Sequence, residues 1–352
     1  MAERMDLEML WQSLETRAAL TPEQAGFVFS PAFDPHRERL FGMADEVRRR
    51  VLGDEVFLRG IVEFSNVCRC QCAYCGISAL NAGLPRYRLT REEIVDTIGG
   101  AVAMGYRSFV LQSGEDPGYT ADDLCGIIGA VKERHDVALT LSIGEWPREA
   151  YAAFKAAGAD RYLLRIETAD PALYARFHPH STWENRHRCL QDLKELGYQV
   201  GSGILVGLPG QDGASLGRDL EYLRALRPEM VGIGPFIPHP ATPLAGAPGG
   251  TLAACLTFLA LLRLYLPDAF LPATTAMGSI DPQGRQKALR AGANVVMPNV
   301  SPMTHREEYQ LYPGKICLTD DAGACRTCVE RMIVGLGRTV NTGQGHIRRR
   351  VY

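Results

Sequence analysis

The sequence has almost no net charge, no long apolar run and no low-complexity linker, and each absence removes a class of protein. With 38 Lys plus Arg against 40 Asp plus Glu, the formal net charge is -2, whereas general nucleic-acid binders usually carry a basic excess. The opening stretch MAERMDLEMLWQSLETRAAL interrupts its apolar positions with Glu, Asp and Arg, so it offers no apolar core for a secretory signal. The longest apolar stretch, Leu252 to Leu266, spans 15 residues and contains Arg263. That is short of the about 20 residues of a membrane span, and it reads as a buried helix. A cytoplasmic protein with no nucleic-acid and no membrane partner is expected. The closing Arg348-Arg349-Arg350 reads as a solvated terminus.

Cysteine, by contrast, is plentiful: there are 10 in 352 residues. In a reducing compartment these are not structural disulfides but metal ligands, catalytic groups or small core residues. Cys125, Cys189 and Cys255 stand alone in helix-like stretches and read as core thiols. The other seven form two groups: Cys68, Cys70, Cys72 and Cys75, then Cys317, Cys325 and Cys328.

Strand-like runs begin at Val56, Ser108, Val137, Arg161, Val200, Met230, Phe270 and Asn294, with helical stretches between them. Helix starts are marked by Thr90 before REEIV and by Pro147 before REAY, and several helices end in Gly. Eight such units predict an α/β fold, a (β/α)8 TIM-type barrel over residues 51–304. A doubly wound open sheet is the competing reading. Residues 1–50 form an N-terminal helical extension, in which Thr21-Pro22-Glu23-Gln24 reads as a capping box. Residues 305–352 form a C-terminal extension carrying the second Cys group. In a β/α barrel the active site lies at the C-terminal ends of the strands. Polar residues cluster at those predicted ends: Ser113-Gly114-Glu115, Ser142, Glu167-Thr168 and Thr274-Thr275.

Cys68-x3-Cys72-x2-Cys75 directly follows the first strand. Three thiolates at this spacing suit an iron-sulfur cluster, and three ligands on a four-iron cluster leave one iron open for a substrate or cofactor. A tetrahedral zinc site using Cys70 as well is the alternative. Arg59 and Arg165 both sit on strand stretches, where an unpaired charge pointing into the barrel would be costly unless it served an anion or paired with a strand carboxylate. His239, between prolines, reads more readily as a loop hydrogen-bonder than as a catalytic group.

The cysteine spacing, Tyr74 before the last Cys and the surrounding barrel resemble the radical S-adenosylmethionine (SAM) superfamily. YRLTREEIV, VLQSGEDP, TLSIGEWPREAY, LVGLPGQ, MVGIGPFIPHPATPL and YQLYPGKIC narrow the resemblance to the HydE family of [FeFe]-hydrogenase maturases. It implies a radical SAM barrel with a [4Fe-4S] cluster on Cys68, Cys72 and Cys75, and reductive cleavage of SAM to a 5'-deoxyadenosyl radical. SAM contacts are then expected from Tyr74, Ser113, Gly114, Glu115, Ser142, Glu167 and Arg186. In that division Glu115 meets the ammonium, Glu167 the ribose hydroxyls and Arg186 the carboxylate. Arg59, Thr140, Arg165, Thr274, Thr275 and Tyr309, with Ser142 adjoining, are expected to line a pocket for a small carboxylate-bearing substrate. The resemblance makes that substrate a cysteine-derived sulfur compound or an iron carbonyl cyanide species.

The resemblance further implies an accessory [2Fe-2S] or [4Fe-4S] cluster on Cys317, Cys325 and Cys328. Its implied partners are the other hydrogenase maturases (a scaffold GTPase and a tyrosine-cleaving radical SAM maturase) and a reductant such as ferredoxin or flavodoxin. The rivals are a biotin-synthase-like sulfur insertase, a methylornithine-synthase-like mutase, and a cluster carrier without turnover.

Overall fold

The computed structural model describes residues 6–347; Arg348-Arg349-Arg350 therefore lies outside the described residues. The strands are β1 (Glu55–Leu58), β2 (Gly60–Ser65), β3 (Ser108–Ser113), β4 (Ala138–Ser142), β5 (Arg161–Leu163), β6 (Gln199–Val206), β7 (Met230–Pro235), β8 (Val295–Val296) and β9 (Thr339–Asn341). From β2 to β7 each pairs in parallel with the next, with helices in the crossovers. Parallel strands covered on both faces are buried almost throughout, and β6 is buried at every position after Gln199.

The first predicted strand is divided at Arg59 into β1 and β2. The seventh, from Phe270, is not a strand. It survives as two bridges, Met230 to Phe270 and Pro272 to Val295, because Pro272 has no N–H to give a ladder. Those bridges, the pairing of β8 with β1 and a further bridge from Ile61 to Asn299 close the ring. The result is the expected barrel with a seam in place of its seventh strand.

The N-terminal helices pack on the barrel through Leu10, Trp11, Leu14 and Phe33, which belong to the same apolar core. Thr21 and Gln24 form the anticipated reciprocal caps, Thr21 Oγ1 accepting from the Gln24 N–H at 3.2 Å and Gln24 Oε1 from the Thr21 N–H at 3.0 Å. The long apolar segment is the helix Leu252–Tyr265. Its buried Arg263 donates to the carbonyls of Gly292 (2.9 Å) and Pro267 (2.8 Å) and to Asn294 Oδ1 (3.0 Å). Among the described residues no helix is long and apolar enough to cross a membrane. Cys189 and Cys255 are buried as expected, while Cys125 is only half-buried.

The C-terminal extension returns to the start of the barrel. Its strand β9 pairs in parallel with β1, Glu55 opposite Thr339 and Phe57 opposite Asn341. The chain then crosses the barrel floor, where the carbonyl of Gly345 accepts from Arg161 at 2.8 Å.

Candidate functional site

The loop after β2 has no regular structure, and its backbone is anchored by segments distant in sequence. Arg69 N–H donates to the Glu115 carbonyl (3.0 Å), Ala73 N–H to that of Phe177 (3.0 Å) and Gly76 N–H to that of Leu311 (2.8 Å). Gly114 presses against this loop: a Cβ there would lie 2.3 Å from the Val67 carbonyl oxygen and 2.6 Å from Cys68 Cβ. Only glycine permits that approach. The loop thereby turns Cys68, Cys70, Cys72 and Cys75 toward a cavity of about 370 Å³ at the strand C-termini.

The cysteines differ electrostatically. The Cys68 thiol is pushed down to about 7, chiefly by the hydrogen bond from the Cys70 thiol, with the Cys70 N–H 3.4 Å from its sulfur. Burial pushes the Cys75 thiol up to about 12 and raises Cys72 as well, and the charge of Cys68 adds to both. Iron needs deprotonated ligands, and a cationic centre among the three sulfurs would offset the penalty that burial places on the Cys72 and Cys75 thiolates. Among the described residues no three Cys, His, Asp or Glu side chains are close enough to hold one metal ion. Three thiols lining one cavity are the donor chemistry that an iron-sulfur cluster takes, and three ligands would leave one iron of a four-iron cluster open.

Tyr74, Ser113, Gly114, Glu115, Ser142, Glu167 and Arg186 all line the same cavity. The Tyr74 hydroxyl is 2.9 Å from His178 Nε2, and His178 Nδ1 is 3.1 Å from the Tyr174 carbonyl. A carbonyl can only accept, so Nδ1 carries the proton and Tyr74 donates to Nε2. Glu115 Oε1 accepts from the Glu145 N–H at 2.9 Å, and its Oε2 stands 3.3 Å from Arg69. Arg186 is buried; its Nε pairs with Glu145 and its Nη1 donates to the Arg165 carbonyl at 2.7 Å, which fixes the guanidinium in the cavity wall. Glu167 has φ +64°, a left-handed conformation uncommon outside glycine. Its Oε2 lies 3.0 Å from Arg165 Nη2, yet no hydrogen bond is aligned on it. Burial raises this carboxyl above its usual range. A strained backbone and an unsatisfied buried acceptor are what a pair of vicinal hydroxyls would meet.

Of the residues expected on the substrate side, Arg165, Thr274, Thr275 and Tyr309 reach this cavity. Thr274 donates to the Ile233 carbonyl at 3.0 Å, and the Tyr309 hydroxyl accepts from Gln112 at 3.2 Å. Arg59 and Thr140 do not reach it. They line a separate cavity of about 10 Å³ near the floor, together with Arg161. Arg59 lies in the break just before β2, at the end opposite the loops of the mouth, whereas Arg165 follows the end of β5. There Arg59 donates to the Gly345 carbonyl at 3.4 Å, contacts Met230 Sδ at 3.1 Å and stands 4.6 Å from the Phe270 ring centre. Met230 lines both cavities and stands between them.

Sequence reasoning missed Glu63, Lys315, Glu145 and His180. Lys315 is buried against Glu63, donates to the Tyr309 carbonyl at 2.8 Å and lines the same cavity. Glu63 was a charge inside a strand run, the same signal that drew attention to Arg59. Glu145 follows a strand end, as Ser142 does. His239 accepts from the Ala241 N–H at 3.1 Å, a bond within its own loop.

Cys317, Cys325 and Cys328 lie outside the cavity. Cys325 is buried on the helix Ala322–Gly335, Cys328 is exposed on the same helix, and Cys317 has φ +64°. The Cys317 thiol is pushed down to about 6, mainly by a hydrogen bond from Cys325 and further by Arg285.

Comparison with known proteins agrees with this fold. The radical SAM superfamily model matches residues 62–223. The chain is 53% identical over 315 residues to the [FeFe] hydrogenase maturase subunit HydE of Thermotoga maritima, covering 90% of each. It is 30% identical over 293 residues to 3-methylornithine synthase of Methanosarcina acetivorans, covering 83% of each. The crystal structure of methylornithine synthase (PylB) superposes with a TM-score of 0.82 at 27% identity, covering 94% of this chain and 97% of that one. The maturase HydG of Carboxydothermus hydrogenoformans shares the fold, with a TM-score of 0.77 at 22% identity over 95% of this chain and 79% of its own.

Proposed function

This chain belongs to the HydE family of radical SAM enzymes, and from that premise we propose that it cleaves SAM reductively in its mouth cavity during maturation of the [FeFe]-hydrogenase diiron subsite. Cys68, Cys72 and Cys75 would hold a [4Fe-4S] cluster. Such a cluster would supply the electron for reductive cleavage of SAM to methionine and a 5'-deoxyadenosyl radical. The observation that carries the reading is the meeting of these three cysteines with Glu115, Glu167 and Arg186 on one cavity wall.

The protein's own side chains bind and orient. Arg186 spends two of its nitrogens on Glu145 and the Arg165 carbonyl and offers its remaining edge to the SAM carboxylate. Glu115 accepts from the ammonium, and Glu167 accepts from the ribose hydroxyls through its unsatisfied oxygen. Tyr74, Ser113, Gly114 and Ser142 complete that side. Arg165, beside Glu167, together with Thr274, Thr275 and Tyr309 would form the pocket for a small carboxylate-bearing substrate, a cysteine-derived sulfur compound or an iron carbonyl cyanide species, with Lys315 as an additional cation. The apolar walls, including Leu205, Phe236 and Ile237, exclude water from the reacting centre. Cys317, Cys325 and Cys328 would carry the accessory cluster. The enzyme would work in the cytoplasm beside a scaffold GTPase and a tyrosine-cleaving maturase, with ferredoxin or flavodoxin as reductant.

Protein reconstituted anaerobically with iron and sulfide, then given SAM and a strong reductant, should form 5'-deoxyadenosine. Cys72→Ala should form none. A wild type that binds a cluster but never forms 5'-deoxyadenosine would favour a cluster carrier instead.

A further inference from the structure

The three sulfurs of the first cysteine group are not hydrogen-bonded alike. Cys68 and Cys75 receive backbone N–H groups, from Cys70 at 3.4 Å and from Ile77 and Ser78 respectively. Those backbone donors come with the fold of the loop, and the side-chain donor at Cys68, the Cys70 thiol, belongs to the same loop. Cys72 is faced instead by a side chain supplied from another part of the barrel: His180 Nε2 stands 3.8 Å from its sulfur.

Which nitrogen of His180 carries the proton follows from its other contact. The backbone N–H of Gln71 donates to Nδ1 at 3.3 Å. An Nδ1 that accepts holds no hydrogen, so the ring is the Nε2–H tautomer and its one N–H lies on the side of Cys72. His178, two residues earlier, is in the opposite state, with Nδ1–H directed at a carbonyl and Nε2 accepting. Gln71 is the immediate neighbour of Cys72, so a single turn of loop both sets the tautomer of His180 and presents the sulfur to it.

We propose that His180 is a positioning residue that raises the reduction potential of the cluster through an Nε2–H hydrogen bond to Cys72 Sγ. The inference rests on the reading of Cys68, Cys72 and Cys75 as cluster ligands. Reduction adds negative charge that is shared by the ligand sulfurs, and a fixed N–H dipole stabilises the reduced form more than the oxidised one. Hydrogen bonds to the sulfurs are among the levers that set iron-sulfur potentials, and outer partners of metal ligands tune them in general. In this barrel the lever is one residue that can be replaced without altering the loop's own backbone bonds at Cys68 and Cys75.

The test is an EPR-monitored redox titration of the full chain, reconstituted anaerobically and free of SAM. His180→Phe keeps an aromatic ring and removes the donor. At the potential where the wild type is half reduced, its ratio of reduced to oxidised cluster should fall about tenfold, which is about 59 mV for one electron. Iron content per chain should be unchanged. His180→Gln, which returns a side-chain N–H, should recover most of the shift.

Equal midpoints for the wild type and His180→Phe overturn the inference, as does a His180→Gln midpoint no higher than that of His180→Phe. Should His180→Phe fail to hold a cluster, pulsed EPR of the reduced wild type decides. An exchangeable proton and an imidazole nitrogen coupled to the cluster are expected, and their absence overturns the proposal. A wild type that takes up no four-iron cluster overturns the ligand reading beneath it, an outcome distinct from an unshifted potential.

Discussion

Arginines that are buried or half-buried occupy both ends of the barrel, and they are held in different ways. At the mouth Arg186 faces Glu145 and Arg165 faces Glu167. At the floor Arg161 donates to the carbonyls of Gln344 and Gly345 and to Ser108 Oγ, and Arg59 adds a bond to Gly345. The mouth is therefore a set of charge pairs, in which each sign is available to a zwitterion that enters. The floor is closed by the chain itself, with neutral acceptors around cations that burial and mutual repulsion disfavour. A buried ion pair is expensive to break from one side, because the surviving charge is left without a partner.

Removing Glu145 should have the largest consequence. Besides Arg186, its carboxylate accepts from Ser181 Oγ at 2.8 Å and from Asn185. Glu145→Ala is expected to lower stability by about 3–5 kcal/mol in urea unfolding. It should also reduce 5'-deoxyadenosine formation by roughly 100-fold, since the guanidinium proposed to orient SAM loses its anchor. Wild-type turnover in this variant would show that the mouth pairs are structural only.

Acid should weaken the mouth next. Burial, reinforced by the charge of Arg186, pushes His178 down to about 3. The unfolded chain therefore takes up a proton below about pH 6.5 that the folded chain refuses until about pH 3, and stability falls as pH drops through that window. The loss should approach about 5 kcal/mol at its full extent. Unfolding measured between pH 7 and pH 4 should show this slope in the wild type and a shallower one in His178→Gln; equal slopes would remove His178 as its source.

The floor should respond less. Arg161→Met leaves two carbonyls short of a donor but also removes a buried cation. A loss of about 1–2 kcal/mol is expected, with 5'-deoxyadenosine formation within twofold of the wild type. Collapse of activity in this variant would erase the distinction between the two ends. The smallest effect belongs to Gln344→Ala, which deletes an exposed bond to Asp136 of 2.7 Å. About 0.5 kcal/mol is expected from the same unfolding measurement, and a larger loss would mean that the tail is a stronger seal than its contacts indicate.

What could be read from sequence was local. The spacing of Cys68, Cys72 and Cys75, the box at Thr21 and the strand ends at Ser113 and Ser142 each depend on a few adjacent residues. Arg59 and Arg165 looked alike because both are charges within apolar runs. Which end of the barrel each serves depends on strand register and on where β1 breaks, and neither is encoded in the run itself. The segment from Phe270 has the composition of a strand, but Pro272 denies it the ladder. Glu145, His180 and Lys315 escaped notice for a related reason: their partners Arg186, Cys72 and Glu63 lie in other units of the barrel. Periodicity finds elements, whereas a site is made of meetings between them.

The parallel pairing of β9 with β1 also has a consequence for the order in which the molecule is made. β1 is among the first strands to leave the ribosome, yet its neighbours are β8 and β9, from the far end of the chain. Until residues 339–341 are synthesised, the edge of β1 has no partner, and such an edge is a template for misassociation. The cysteine loop waits as well, because its anchor at Leu311 and the cavity wall at Tyr309 and Lys315 come late. Closure of the barrel and completion of the cavity thus wait until residues 295–341 have been made, and a cluster would be loaded only after that stretch.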